Sequence, residues 1–241
     1  MVNSGKMKFY TETAELRVHI ENQYDLPISG RLNMPCTIFP GDPEIPTGES
    51  GFGEVIKIGV LGRQRSEKGS YRIPAILNHL RDLAAESGHN KEIRIVYQAV
   101  KTKRLRRFIL ELKTRLYARK NPDVGIEYLT SGVSEASFRK LLLEMDILLL
   151  PYDTHRYQFS GSGIIMDGVL GLKPIVHSRG MAMQELLSHD NCEAATTDRE
   201  FAEKLLKVAT QYQRYKQFTK NASAHAEKLL GESARSLGHD K

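Results

Sequence analysis

The chain has 241 residues, 40% of them apolar, and no run of about 18 apolar residues, so neither a disordered polymer nor a membrane-spanning helix is the default reading. Its formal charge of +6 is modest, and its two cysteines, Cys36 and Cys192, show no C-x-x-C or Cys/His spacing, which argues against a zinc site or a disulfide framework. Both read as structural thiols, and the polar start from Met1 to Lys8 does not resemble a secretory signal, so a soluble, cytoplasmic protein is expected.

Residues 13–22 predict one amphipathic helix, entered through a Thr/Glu-rich turn. Five prolines follow between Asp25 and Pro46, which makes regular structure unfavourable and predicts a linker or surface-hugging arm. From Glu54 the pattern changes. Val55 to Leu61 is a β-branched apolar run ended by Gly62, the mark of a buried strand. After the charged loop Gln64 to Ser70, a helix carries Ile73, Ile76, Leu77, Leu80, Leu83 and Ala84 on one face, and Glu92 to Ala99 is a second strand.

Residues 101–120 hold nine Lys/Arg and one acid, Glu111, with Leu105, Phe108, Ile109, Leu112 and Leu116 on one stripe. This predicts a basic amphipathic helix: a solvated outer face, or a face for an anionic membrane or acidic partner. Only Phe108 and Tyr117 interrupt its charges, too few aromatics for base stacking, and no nucleic-acid partner is expected. Val124 to Leu129 is a third strand, residues 134–145 a helix, and Asp146 to Pro151 the most apolar strand of all. A tyrosine-rich loop, Tyr152 to Phe159, leads to Ser160-Gly161-Ser162-Gly163, a small-residue turn opening a helix with Asp167 one turn in. A strand at Pro174 to His177, a short helix at Met183 to Leu187, a small strand at Cys192 to Thr196 and a long polar helical region complete the chain.

Strands and helices that alternate with short connections predict an α/β fold, a doubly wound, mostly parallel, Rossmann-like sheet. Its ligands bind at the carboxyl ends of the strands. Three loops then share one rim: Gly62 to Gly69, Leu129 to Val133, and Tyr152 to Ser162. They bring together Gly62, Arg63, Lys68, Ser131, Tyr157 and the helix entry at Ser160 to Gly163. Two cations and several backbone N–H groups suit a diphosphate without a metal, and Asp167 can accept hydrogen bonds from a sugar diol. His155 and Arg156 lie in the loop nearest the expected sugar.

The run Gly62-Arg63-Gln64-Arg65-Ser66-Glu67-Lys68-Gly69 resembles the G-R-x-x-x-E-K-G signature of GT-B glycosyltransferases, particularly the retaining family 4 type. Asp146 to Tyr152, Ser162 to Gly168 and Gly171 to Val176 resemble that family's second block, in the same order and spacing. The resemblance covers roughly residues 55–200. It implies that Arg63 and Lys68 hold the diphosphate of a nucleotide-sugar donor, that Ser162 and Gly163 supply N–H groups to its phosphates, and that Asp167 holds the ribose. The sequence departs from the family at two positions: Phe159 stands where an acid near the donor sugar is common, and Asp167 is one methylene shorter than the usual Glu.

The same resemblance divides the chain into a remnant of an acceptor domain with its linker (residues 1–50), a nucleotide-sugar-binding domain (51–200) and a carboxyl-terminal helical segment (201–241). The implied activity is transfer of a sugar, with retention, from a nucleoside diphosphate to an acceptor hydroxyl on a sugar or lipid-linked glycan, as in polysaccharide biosynthesis. Without the acceptor half, this piece alone is expected to bind donor but not to transfer sugar. The alternative is a catalytically inactive nucleotide-binding or scaffold protein of the same fold, which Phe159 favours. No cofactor or metal is expected. Contact with the inner face of an anionic membrane through Lys101 to Lys120 is a further expectation.

Overall fold

The computed structural model describes residues 7–46, 53–98, 123–129 and 133–238. The basic stretch at residues 101–120 and Ser131 lie outside them. Two short strands, β1 (Tyr10–Thr11) and β2 (Gly30–Arg31), pair in parallel around helix α1 (Ala14–Tyr24). The main sheet follows, with β3 (Val55–Val60), α2 (Ile73–Glu86), β4 (Glu92–Gln98), β5 (Val124–Leu129), α3 (Glu135–Glu144), β6 (Ile147–Leu150) and the short α4 (Thr154–Tyr157). Then come α5 (Gly163–Leu170), β7 (Ile175–Ser178), α6 (Gln184–Leu187), β8 (Cys192–Ala195), α7 (Asp198–Thr210) and α8 (Tyr212–Ser236).

All six strands of the main sheet run parallel, in the order β5-β4-β3-β6-β7-β8. The doubly wound α/β reading of the sequence therefore holds. The chain winds outward from β3 through β5, then returns to β3's other edge with β6. At that reversal neighbouring loops diverge to opposite faces and leave a crevice, the usual ligand position in open parallel sheets.

Strand periodicity explains the two cores. In β6, Ile147 and Leu149 join the cluster under α2 and α7, while Leu148 and Leu150 join the cluster under α3, α5 and α8. Helix α2 buries Ile73, Ile76, Leu77, Leu80 and Ala84, the three-and-four spacing of a single face. Ser134 and Thr197 cap α3 and α7 by accepting hydrogen bonds from Ser137 N and Glu200 N.

The amino-terminal region departs most from expectation. Helix α1 forms where periodicity places it but buries no residue. The proline-rich arm is surface-hugging, as expected, yet strongly anchored: Asn33 N donates to Ser233 Oγ at 2.8 Å, Arg31 pairs with Glu185, and Arg139 pairs with Asp42. The polar carboxyl-terminal region is two helices separated at Gln211, because the chain there needs a turn to cross to the opposite face of the sheet.

Candidate functional site

The loop after β3 turns sharply at Gly62, whose φ of 85° favours glycine and whose N–H donates to Gln98 Oε1 at the end of β4 (2.7 Å). A 3-10 turn at Ser66–Lys68 then closes on Gly69, also left-handed at φ 68°. Gly69 lies so close to the loop after β6 that a Cβ there would overlap the Pro151 carbonyl oxygen, and Asp153 N donates to Glu67 O at 2.9 Å. The two loops flanking the sheet reversal are thereby locked together.

That lock positions Lys68. Its ammonium lies 5.4 Å from the ring centroid of buried Tyr152, half-buried, with no carboxylate partner among the described residues. Burial lowers its pKa from the ordinary lysine value, and the neighbouring Arg65 cation lowers it further against the weaker pull of Glu67. Arg65 itself pairs with Glu67 at 3.1 Å.

Across the cavity stands the amino end of α5. Ser162 is its N-cap residue but makes no side-chain cap, and its own N–H reaches Met183 Sδ at 3.2 Å. The first-turn N–H groups of Gly163 and Ile164 have no intrahelical acceptor and carry the positive end of the helix dipole. Lys68, Arg65, Gly62, Tyr157, Gly161, Ser162, Gly163, Ile164 and Asp167 line one cavity of about 330 Å³. A wider groove of about 900 Å³ lies between the arm and α3. Its Arg139 is matched by Asp42 and Glu44, so its charge is already balanced.

The arm forms the cavity's remaining wall. Cys36 and Thr37 line it, and the Cys36 sulfur packs where a side chain on Gly163 would stand, 2.6 Å from an idealised Cβ. Asp167 is buried, and its Oδ1 accepts from Thr37 N at 2.7 Å and Ile38 N at 2.9 Å. Burial raises the Asp167 pKa, an effect these N–H donors partly offset.

Of the residues singled out from sequence, Gly62, Lys68, Tyr157, Gly161, Ser162, Gly163 and Asp167 meet at the cavity. Arg63 is exposed outside its lining, while Arg65, two residues on, reaches it. Ser160, His155 and Arg156 are exposed, the latter two on α4, and none of the three lines the cavity. Sequence reasoning missed Arg65, Cys36, Thr37, Phe138 and Ile164. Arg65 was visible within the same charged loop; the arm residues carried no local signal. Phe159 turns its ring onto His19 of α1, stacked at 4.2 Å, and its carbonyl accepts from Thr13 Oγ1 at 2.7 Å. Among the described residues no cluster of three His, Cys, Asp or Glu is placed to hold a metal, and no helix is long and apolar enough to cross a membrane.

By sequence, no protein-family model and no curated protein matches the chain. Solved structures do. The carboxyl-terminal domain of the glycosyl transferase group 1 family protein LpcC from Francisella tularensis aligns over 72% of this chain and 85% of its own, at 16% identity and a TM-score of 0.52. The fold is that of a GT-B carboxyl-terminal domain. TarM of S. aureus, in a structure with UDP, aligns over 99% of this chain at 15% identity and a TM-score of 0.61. HepE from Anabaena, with UDP and glucose, aligns over 96% at 14% identity and 0.59. The chain spans 45% of the TarM chain and 62% of the HepE chain. The GT-B-like crevice at the strand reversal is the one that Lys68 and the entry of α5 flank.

Proposed function

We propose that this chain is the nucleotide-sugar donor domain of a glycosyltransferase, one that moves a sugar with retention from a nucleoside diphosphate to an acceptor hydroxyl on a sugar or lipid-linked glycan. The observation that carries the proposal is Lys68, a half-buried cation without a carboxylate partner among the described residues, placed across a small cavity from the N–H groups that open α5. Such a pair suits a diphosphate: the ammonium and the oriented N–H groups stabilise its charge in the ground state and the larger charge that develops when it leaves. Lys68, with Arg63 or Arg65, holds the phosphates; the N–H groups of Gly161, Gly163 and Ile164 donate to them, in place of Ser162, whose N–H is taken by Met183 Sδ; and Asp167 takes the ribose hydroxyls. His155 and Arg156 are proposed for the sugar side, and Ser131 for contact with the donor. UDP in the TarM and HepE structures supports a nucleotide in a fold of this kind.

Calorimetry with UDP, GDP and ADP tests the proposal; a folded protein that binds none of them ends it. A second reading, an inactive nucleotide-binding or scaffold protein, is favoured by Phe159, whose ring is stacked on His19 where the resemblance puts an acid. A full-length protein that binds donor yet shows neither transfer nor slow donor hydrolysis would select it. The basic stretch at residues 101–120 supports a proposed contact with anionic lipid, which co-sedimentation with anionic liposomes checks against a charge-reversed variant.

A further inference from the structure

One N–H group beside the cavity is already taken by an anion. Gly161 N, in the turn that opens α5, donates at 2.9 Å to Glu12 Oε1, a residue 149 positions earlier in the chain. The carboxylate lies flat against the glycine, since a Cβ on Gly161 would stand 3.0 Å from Glu12 Oε2 and 3.1 Å from Cδ. Gly161 lines the cavity together with Lys68 and Arg65, and Glu12 is near enough to Cys36, another lining residue, to act on its thiol electrostatically.

Glu12 itself is exposed and has no lysine or arginine partner among the described residues. The segment on either side of it is held. Leu32 N donates to Thr11 O at 2.9 Å, Thr13 Oγ1 donates to Phe159 O, and the Glu15 carboxylate accepts from Met183 N and Gln184 N at 3.2 and 3.0 Å. The Glu12 side chain can therefore swing into solvent while the segment that carries it stays in place.

We infer that the amino-terminal segment supplies its own anion to the phosphate subsite: the Glu12 carboxylate sits on the Gly161 N–H as a built-in competitor that an incoming diphosphate displaces. The inference rests on the reading of the cavity as a diphosphate site. A carboxylate and a phosphate oxygen seek the same donor, and their like charges oppose joint occupancy. The competition acts on the phosphate part of the ligand alone. It therefore sets a threshold: a diphosphate, drawn by Lys68 and Arg65 as well, displaces Glu12, while a neutral nucleoside gains nothing by doing so.

The test is isothermal titration calorimetry of the whole chain with inorganic pyrophosphate, UDP, GDP, ADP, UDP-glucose and uridine, on the unaltered protein, Glu12→Gln and Glu12→Ala. Thermal unfolding verifies the fold of each variant, and an exposed site makes both substitutions mild. Pyrophosphate and UDP should bind about tenfold more tightly once the charge is gone, the scale of one charge-assisted hydrogen bond no longer given up, with uridine unchanged. Binding of UDP and pyrophosphate that is unchanged or weaker in both variants overturns this inference and leaves the donor site standing. Weaker binding of UDP-glucose with UDP unaffected would make Glu12 a sugar contact instead, and also overturns it. If neither pyrophosphate nor UDP, GDP or ADP binds any of the three proteins, the donor-site reading falls and this inference with it.

Discussion

Lys68→Met separates what the lysine does for a ligand from what it does for the fold. Methionine keeps an unbranched stem against the Tyr152 ring, so the packing is preserved and only the ammonium is lost. Burial already disfavours the charged form, as the lowered pKa records, so removing the charge should leave the thermal midpoint unchanged or slightly raised. A phosphate held by Lys68 loses a charge-assisted hydrogen bond worth about 1.5–3 kcal/mol, roughly 10- to 150-fold in Kd. The pH dependence carries the same signature. The folded-state pKa lies below the unfolded one, so as pH rises through that lowered value the free site loses its charge before an ordinary lysine would. UDP affinity should fall there in the unaltered protein and stay flat in Lys68→Met. Calorimetry across alkaline pH reads both effects, and a folded Lys68→Met that binds UDP within about twofold of the unaltered protein would refute the reasoning.

Gly69→Ala should destabilise by about 3 kcal/mol or more in urea, because its Cβ meets the Pro151 carbonyl in a left-handed backbone. Gly180→Ala, at φ 83° with open space around it, should cost only the backbone strain of about 1–2 kcal/mol. Cys36 is exposed, but partial desolvation raises its thiol pKa, with the Asp167 and Glu12 carboxylates adding to it, so iodoacetamide labelling should be slow at neutral pH and accelerate with pH. Mass spectrometry should show bound UDP protecting Cys36, since its sulfur lines the same cavity. Burial pushes Lys173 down to about 8 from 10.5, and its Nζ donates to Leu143 O. The unfolded chain then holds more protons at this lysine between those values, so its contribution makes stability rise with pH there, by about 3 kcal/mol, and Lys173→Met should reduce that slope in denaturant titrations.

The sheet was readable because its information is local. Four consecutive apolar residues at Ile147–Leu150 can be buried only between two helical layers, and the spacing of Ile73, Ile76, Leu77 and Leu80 fixes the buried face of α2. Parallel pairing of such strands places every strand-to-helix loop on one edge, which is how the sequence alone puts Lys68 and the entry of α5 on one rim. Local signals were weaker where no periodicity exists. Helix α4 hides within the tyrosine-rich loop because it is one turn long, its start marked only by Asp153, whose carboxylate accepts from His155 N at 3.0 Å.

The wall built by the arm was not readable, and the physical reason is the kind of bond that makes it. Thr37 and Ile38 approach Asp167 through backbone N–H groups, and a backbone donor has no residue type to announce it. Pairing through side chains left traces, as with Arg139 between Asp42 and Glu44, but nothing in their spacing says that they meet across 97 residues. The same limit governs the departure at Phe159. The sequence shows that the acid is missing there; it does not show that Glu12, from the bend between β1 and α1 149 residues earlier, brings a carboxylate to Gly161, two residues further along the same turn. An acid fixed on that turn would be a permanent part of the site. One carried by the amino-terminal segment and held through a single N–H can leave it, and this difference makes its effect on diphosphate affinity measurable.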